Sequence, residues 1–202
     1  MQAGDVVGII GPNGSGKSTL LKIILNLVGA SSGTVFISDG LKTTAMLEKP
    51  GFYPEFSVEK NFKIFLAFEN FVKRKDEILN LFELSGYKNK KFRNFSTGMK
   101  KRCELAAALA MKPDLLILDE PTNGLDPQGI IEFRALLSDA HKAGTTIIMT
   151  SHILNELERL CNQIMFISDG KLKEYSSKES LLLRFANLEE AYSFFNRSKL
   201  NS

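Results

Sequence analysis

The chain has 202 residues, enough for one domain with a sizeable core and too few for two. Hydrophobic residues make up 44% and charged residues 24%, a composition that excludes a disordered chain and an integral membrane protein. The net charge of +3 is mild and not gathered into a basic stripe, so no nucleic-acid partner is expected.

The opening Met1 to Asp5 has no basic segment followed by an apolar one, so it does not read as a signal peptide. Residues 6–10 (Val-Val-Gly-Ile-Ile) predict a short buried strand, followed by a glycine-rich turn and a helix over 17–28. The apolar stretch 20–30 is broken by Lys22, Asn26 and Gly29, well short of a membrane span. Residues 34–38 predict a short strand ended by Asp39-Gly40, and 58–67 and 75–84 predict two helices. The basic run 88–93 reads as a solvated loop, and 96–110 as a helix. Residues 115–118 are continuously apolar between polar flanks, the pattern of a strand buried on both faces. A helix over 128–143 with Gly144 as its cap, a buried strand over 145–150, and a hairpin of 163–168 and 171–175 around Asp169-Gly170 follow. The tail from 177 reads as helical and amphipathic. Strands alternating with helices predict an α/β fold with a mostly parallel sheet flanked by helices. Ligands of such sheets bind at the carboxyl ends of strands. Cys103 and Cys161 lie far apart in apolar-periodic stretches and read as core thiols.

Three motifs fall at predicted strand ends. Gly11-Pro12-Asn13-Gly14-Ser15-Gly16-Lys17-Ser18-Thr19 contains the full G-x-x-x-x-G-K-[ST] pattern between a strand and a helix. Glycines let successive backbone N–H groups ring a phosphate, and the helix start points its positive end at the same anion. Lys17 reaches the β- and γ-phosphates, and Ser18 offers a hydroxyl to Mg²⁺. Asp119 and Glu120 end the strand over 115–118, with Asp119 suited to hold Mg²⁺ and Glu120 to orient and deprotonate a water. His152 follows the strand over 145–150; alone, it would read as a surface histidine at a helix start.

With these motifs in this order, the chain resembles the ATP-binding subunits of ABC transporters over nearly its whole length. The resemblance implies a P-loop NTPase fold of ABC type, with a nucleotide-binding core of 1–47 and 112–175, an inserted helical subdomain of 48–111 and a helical tail of 176–202. It implies ATP and Mg²⁺ as cofactors and ATP hydrolysis coupled to transport. The partners it implies are an integral-membrane permease and a second ATP-binding subunit, as a homodimer at the cytoplasmic face of the membrane. His152 corresponds to the family's switch histidine on the γ-phosphate. Asp126, in Pro121-Thr122-Asn123-Gly124-Leu125-Asp126-Pro127, corresponds to an aspartate that reaches across the dimer interface. Phe95-Ser96-Thr97-Gly98-Met99 sits at the family's Leu-Ser-Gly-Gly-Gln signature, where Ser96 and Gly98 would face the γ-phosphate of the other subunit. Phe95, Thr97 and Met99 depart from that signature.

Glu48 stands where the family places a glutamine that senses Mg²⁺ and the γ-phosphate. With the Pro-Gly-Phe-Tyr-Pro string after it, this resembles the bacitracin-export and lantibiotic-immunity branch, and a carboxylate there would tie nucleotide binding more strongly to Mg²⁺. Cargo of peptide antibiotics or similar amphiphiles follows from that branch. Phe52, Tyr53 and Phe56 are candidates for a groove that receives a permease helix, and Phe62, Phe65, Phe68 and Phe71 for core. The family's opening strands and adenine-stacking aromatic do not precede residue 6, and 37–47 is short for the family. Loss of base stacking predicts ATP affinity weaker by roughly ten- to a hundredfold. The alternatives are an ABC ATPase that works off the membrane, and a nucleotide-binding subunit with weak turnover.

Overall fold

The computed structural model describes residues 1–47, 51–66 and 68–196. Six strands form one sheet. They are β1 (Val6–Ile10), β2 (Thr43–Met46), β3 (Leu115–Leu118), β4 (Thr146–Thr150), β5 (Gln163–Ser168) and β6 (Lys171–Ser177). The spatial order is β2-β3-β4-β1-β5-β6, parallel throughout except for the β5–β6 hairpin. Asp169 and Gly170 both have positive φ, 53° and 70°, which matches the twist of a tight hairpin.

The central strands are buried on both faces, and their side chains alternate between two cores. Val6, Ile10, Leu116, Leu118, Ile147 and Met149 share one cluster, whereas Val7, Ile9, Leu115, Ile117 and Ile148 share the other. The second cluster is covered by α1 (Lys17–Ile24) through Leu21. The first is covered by α5 (Pro127–Lys142), α6 (Leu154–Leu160), α7 (Lys178–Leu182) and α8 (Leu188–Asn196), through Phe133, Leu157, Leu181 and Leu188. Gly8 is required where α6 crosses β1, because a Cβ there would sit 2.9 Å from Cys161 Sγ. A third cluster is built by α2 (Val58–Phe65), α3 (Phe68–Leu81) and α4 (Thr97–Ala110). Its centre is aromatic: Phe52 meets Phe62 edge-on at 5.5 Å and Phe92 at 5.0 Å. Cys103 and Cys161 are free and buried.

Three sequence expectations are corrected. Residues 34–38 form no strand: Val35 and Phe36 are 48% and 86% exposed and pair with no described strand, and β-prone residues without a ladder partner do not make one. The edge strand is Thr43–Met46 instead, a run too polar to announce itself. The helix expected over 17–28 stops at Ile24, where Asn26 turns left-handed with φ 55°. The helix expected over 75–84 begins earlier, at Phe68.

Candidate functional site

Strand β1 delivers the chain into the 11–19 loop, and α1 takes over at Lys17. Gly11 approaches the hairpin so closely that a Cβ would collide with the Ile167 carbonyl and the Ser15 hydroxyl. Gly16, the residue before α1, has φ 101°, a conformation that glycine adopts without strain. The Ser15 hydroxyl is buried and has no hydrogen-bond partner. Lys17 is buried, and its Nζ donates to the carbonyls of Gly11 at 2.8 Å and Pro12 at 3.3 Å. An ammonium held by carbonyls beside an unsatisfied hydroxyl and a turn of backbone N–H groups fits an oxyanion such as a phosphate.

Asp119 and Glu120 follow β3. Their positions rest on Thr150, the fully buried last residue of the neighbouring β4. Its Oγ1 donates to Asp119 Oδ1 at 2.8 Å and accepts from the Glu120 N–H at 2.8 Å. The Glu120 carbonyl accepts from Lys101 Nζ of α4 at 2.9 Å. Glu120 itself is left-handed with φ 48°, strained for a residue with a Cβ. That conformation persists because both of its backbone groups are tied by side chains from other elements. Its carboxylate lies 4.0 Å from Lys17 Nζ and accepts a hydrogen bond from His152 Nδ1 at 2.9 Å. Below the site, Thr122 Oγ1 donates to the buried Glu156 of α6 at 2.8 Å.

These elements enclose a cleft of about 570 Å³ lined by Asn13, Gly14, Ser15, Gly16, Lys17, Ser18, Thr19, Asp119, Glu120, Asn123 and His152. The expected phosphate, carboxylate and histidine residues are therefore brought together. Ser18 and Asp119 supply a hydroxyl and a carboxylate to one cleft, a donor set that fits Mg²⁺. Glu48 lies outside the described residues. Strand β2 carries the chain to Met46, whose carbonyl accepts from the Asp119 N–H at 2.8 Å.

Ser96, Gly98 and Asp126 are not in that cleft. They line a separate hollow of about 300 Å³ between the starts of α4 and α5. Ser96 caps α4 by accepting from the Met99 N–H, and Asp126 caps α5 by accepting from the Gly129 N–H at 2.9 Å. Thr150 and Lys101 were not anticipated as site residues. The signal for Thr150 was a hydroxyl ending an otherwise apolar buried strand, since a buried hydroxyl needs a partner. Lys101, one cation among three in Lys100-Lys101-Arg102, carried none.

The comparisons agree with this geometry. A family model described as ABC transporter matches residues 1–123. The lantibiotic transport ATP-binding protein SrtF of Streptococcus pyogenes is 39% identical over 195 residues, which is 91% of this chain and 85% of that protein. The bacitracin transport ATP-binding protein BcrA of Enterococcus faecalis is 38% identical over 184 residues, 85% of this chain and 60% of that protein. The chain likewise spans 59% and 63% of the length of two Bacillus subtilis ABC transporter ATP-binding proteins that it matches. A solved structure described as the ATP binding subunit of an ABC transporter superimposes with a TM-score of 0.85 at 27% identity, covering 96% of this chain and 88% of that one. With the phosphate-binding loop, paired strand-end acids and histidine in one cleft of this fold, the chain belongs to the ABC transporter ATP-binding family.

Proposed function

We propose that the chain binds and hydrolyses ATP and drives a separate membrane permease that handles peptide antibiotics or similar amphiphiles. The observation that carries this reading is the convergence of Lys17, Asp119, Glu120 and His152 on the cleft around the 11–19 loop. Backbone N–H groups of that loop and Lys17 bind the triphosphate. Ser18 and Asp119 would hold Mg²⁺, which when bound would withdraw charge from the phosphate oxygens. Glu120 accepts a proton from the attacking water, and His152 orients the Glu120 carboxylate and contacts the γ-phosphate. Glu48 serves as a further Mg²⁺ sensor; Glu48→Gln should then shift the Mg²⁺ dependence of turnover, and an unchanged dependence removes that role.

Ser96, Gly98 and Asp126 lie outside the cleft of their own chain, which supports a sandwich of two copies with each nucleotide between the loop of one and the α4 start of the other. In this reading 1–47 and 112–175 form the nucleotide-binding core, 48–111 the helical subdomain and 176–202 a tail. The sandwich sits at the cytoplasmic face of the membrane through the permease. The test is Glu120→Gln, which removes the base but leaves the binding groups. Turnover should fall by about 10²–10⁴. Light scattering with Mg·ATP should show a shift from monomer to dimer that nucleotide-free protein lacks. Wild-type turnover in Glu120→Gln, or no nucleotide binding by a folded protein, overturns the proposal.

A further inference from the structure

Lys100, Lys101 and Arg102 follow one another on α4, and the helix turns each toward a different partner. Lys100 Nζ stands over the Phe92 ring, 5.9 Å from its centroid, and Arg102 pairs with Glu83 and Glu132. Lys101 reaches across to the end of β3 and donates to the Glu120 carbonyl at 2.9 Å. The Asn123 N–H shares that carbonyl at 3.3 Å, a longer bond from within the same turn. The start of α4 braces the turn at a second point, since a Cβ on Gly124 would lie 3.1 Å from Thr97 Cγ2.

Glu120 needs such holding. Its φ of 48° is left-handed, which a residue with a Cβ disfavours. The next residue is Pro121, whose ring favours an extended backbone in the residue before it. Two local preferences therefore pull Glu120 toward the extended region. That change would swing its carboxylate away from Lys17 and His152. Against the pull stand the Thr150 hydroxyl on the Glu120 N–H and the Lys101 ammonium on its carbonyl. A bond from an ammonium is charge-assisted, and so stronger than the one from the neutral Asn123 N–H.

We propose that Lys101 is a positioning residue for the reaction: by fixing the Glu120 carbonyl, it keeps the Glu120 carboxylate aimed at the attacking water. Lys101 is not among the residues that line the nucleotide cleft, so its effect falls on the chemical step and not on binding. The inference rests on the reading of Glu120 as the base of ATP hydrolysis, and deepens it by naming what holds the base.

Steady-state turnover of the full chain with Mg·ATP tests it in two variants. Lys101→Met keeps the stem and removes the donor; Lys101→Arg keeps a cationic donor. In Lys101→Met, kcat should fall roughly ten- to a hundredfold, with KM and Mg·ATP affinity at their wild-type values. Lys101→Arg should recover most of that loss. The Lys101 charge also acts on Glu104, so the comparison is repeated in Glu104→Gln, where the same fall should appear. Hydrogen exchange followed by mass spectrometry reads the contact without turnover. Backbone amides within 115–125 should exchange faster in Lys101→Met than in the wild type or Lys101→Arg. Wild-type kcat in Lys101→Met, a loss that falls on KM instead, an Arg variant no better than Met, or unchanged exchange overturns the proposal. So does a fall that disappears in Glu104→Gln, which would assign the effect to that acid. Wild-type kcat in Lys101→Met beside turnover lost in Glu120→Gln overturns the role of Lys101 alone, whereas wild-type turnover in Glu120→Gln overturns the ATPase reading beneath it.

Discussion

Thr150 is a small residue with a large share in the site. One hydroxyl fixes Asp119 through its side chain and Glu120 through its backbone. Thr150→Val keeps the shape and removes both bonds, leaving a buried carboxylate oxygen and the Glu120 N–H without their partner. We expect urea unfolding to show a loss of about 1–3 kcal/mol. Turnover should drop further than ATP affinity, because the triphosphate is held by the 11–19 loop while the strained Glu120 backbone is released. A variant with unchanged stability and turnover would show that other groups fix the two acids. The two cysteines supply a residue-scale check on packing. Burial pushes both thiols up to about 12, so neither offers a thiolate near neutral pH. Iodoacetamide should label neither in the native protein and both in denaturant.

The helix starts show how elements are set by single side chains. Ser57, Ser96 and Asp126 each accept from a backbone N–H three residues on, and so fix where α2, α4 and α5 begin. Asp126→Ala should cost about 0.5–2 kcal/mol through its cap alone. If the residue also acts across the proposed dimer, Mg·ATP-driven association should weaken, whereas Asp126→Asn, a comparable cap, should restore stability. These starts were legible because cap residues and proline at the first helical position act locally, within one turn. The ends were less legible. Helix α1 stops at Ile24 although apolar residues continue through Val28, since Leu27 and Val28 have no core to face and remain exposed. Periodicity predicts a face that could be buried; it does not supply the surface that buries it.

At the scale of the whole molecule, two of the three cores meet along α4. Its Leu105 and Ala108 pack with the sheet, and its Cys103, Ala106 and Ala107 with the aromatic cluster. Between these two contacts stands Glu104, whose proton is held more tightly in the folded chain than in the unfolded one. Its folded value of about 7 lies above the ordinary 4.5. A raised value gives stability that is fully present below pH 4.5 and is lost as pH rises through 7. Glu104→Gln has no proton to lose. Relative to wild type it should therefore gain stability from about pH 4.5 upward and level off above about pH 7. After allowance for partial exposure, the gain should be on the order of 1–2 kcal/mol. Thermal melts across pH 4 to 9 would show it, and parallel melting curves at every pH would contradict the placement of Glu104.

The sequence by itself determined the phosphate loop, the paired acids, the histidine and the family, because each rests on residue types at fixed local spacing. The buried strands and the Asp169-Gly170 hairpin were determined in the same way, by apolar runs and turn chemistry. Tertiary structure alone decided that residues 43–46 rather than 34–38 form the sheet edge, because a strand exists only where a neighbour supplies the ladder. It alone joined Thr150 and Lys101 to Glu120, contacts that span 30 and 19 residues and leave no trace in spacing. It alone buried an oxygen of Glu104 without a hydrogen-bond partner, because burial is a property of what surrounds a residue.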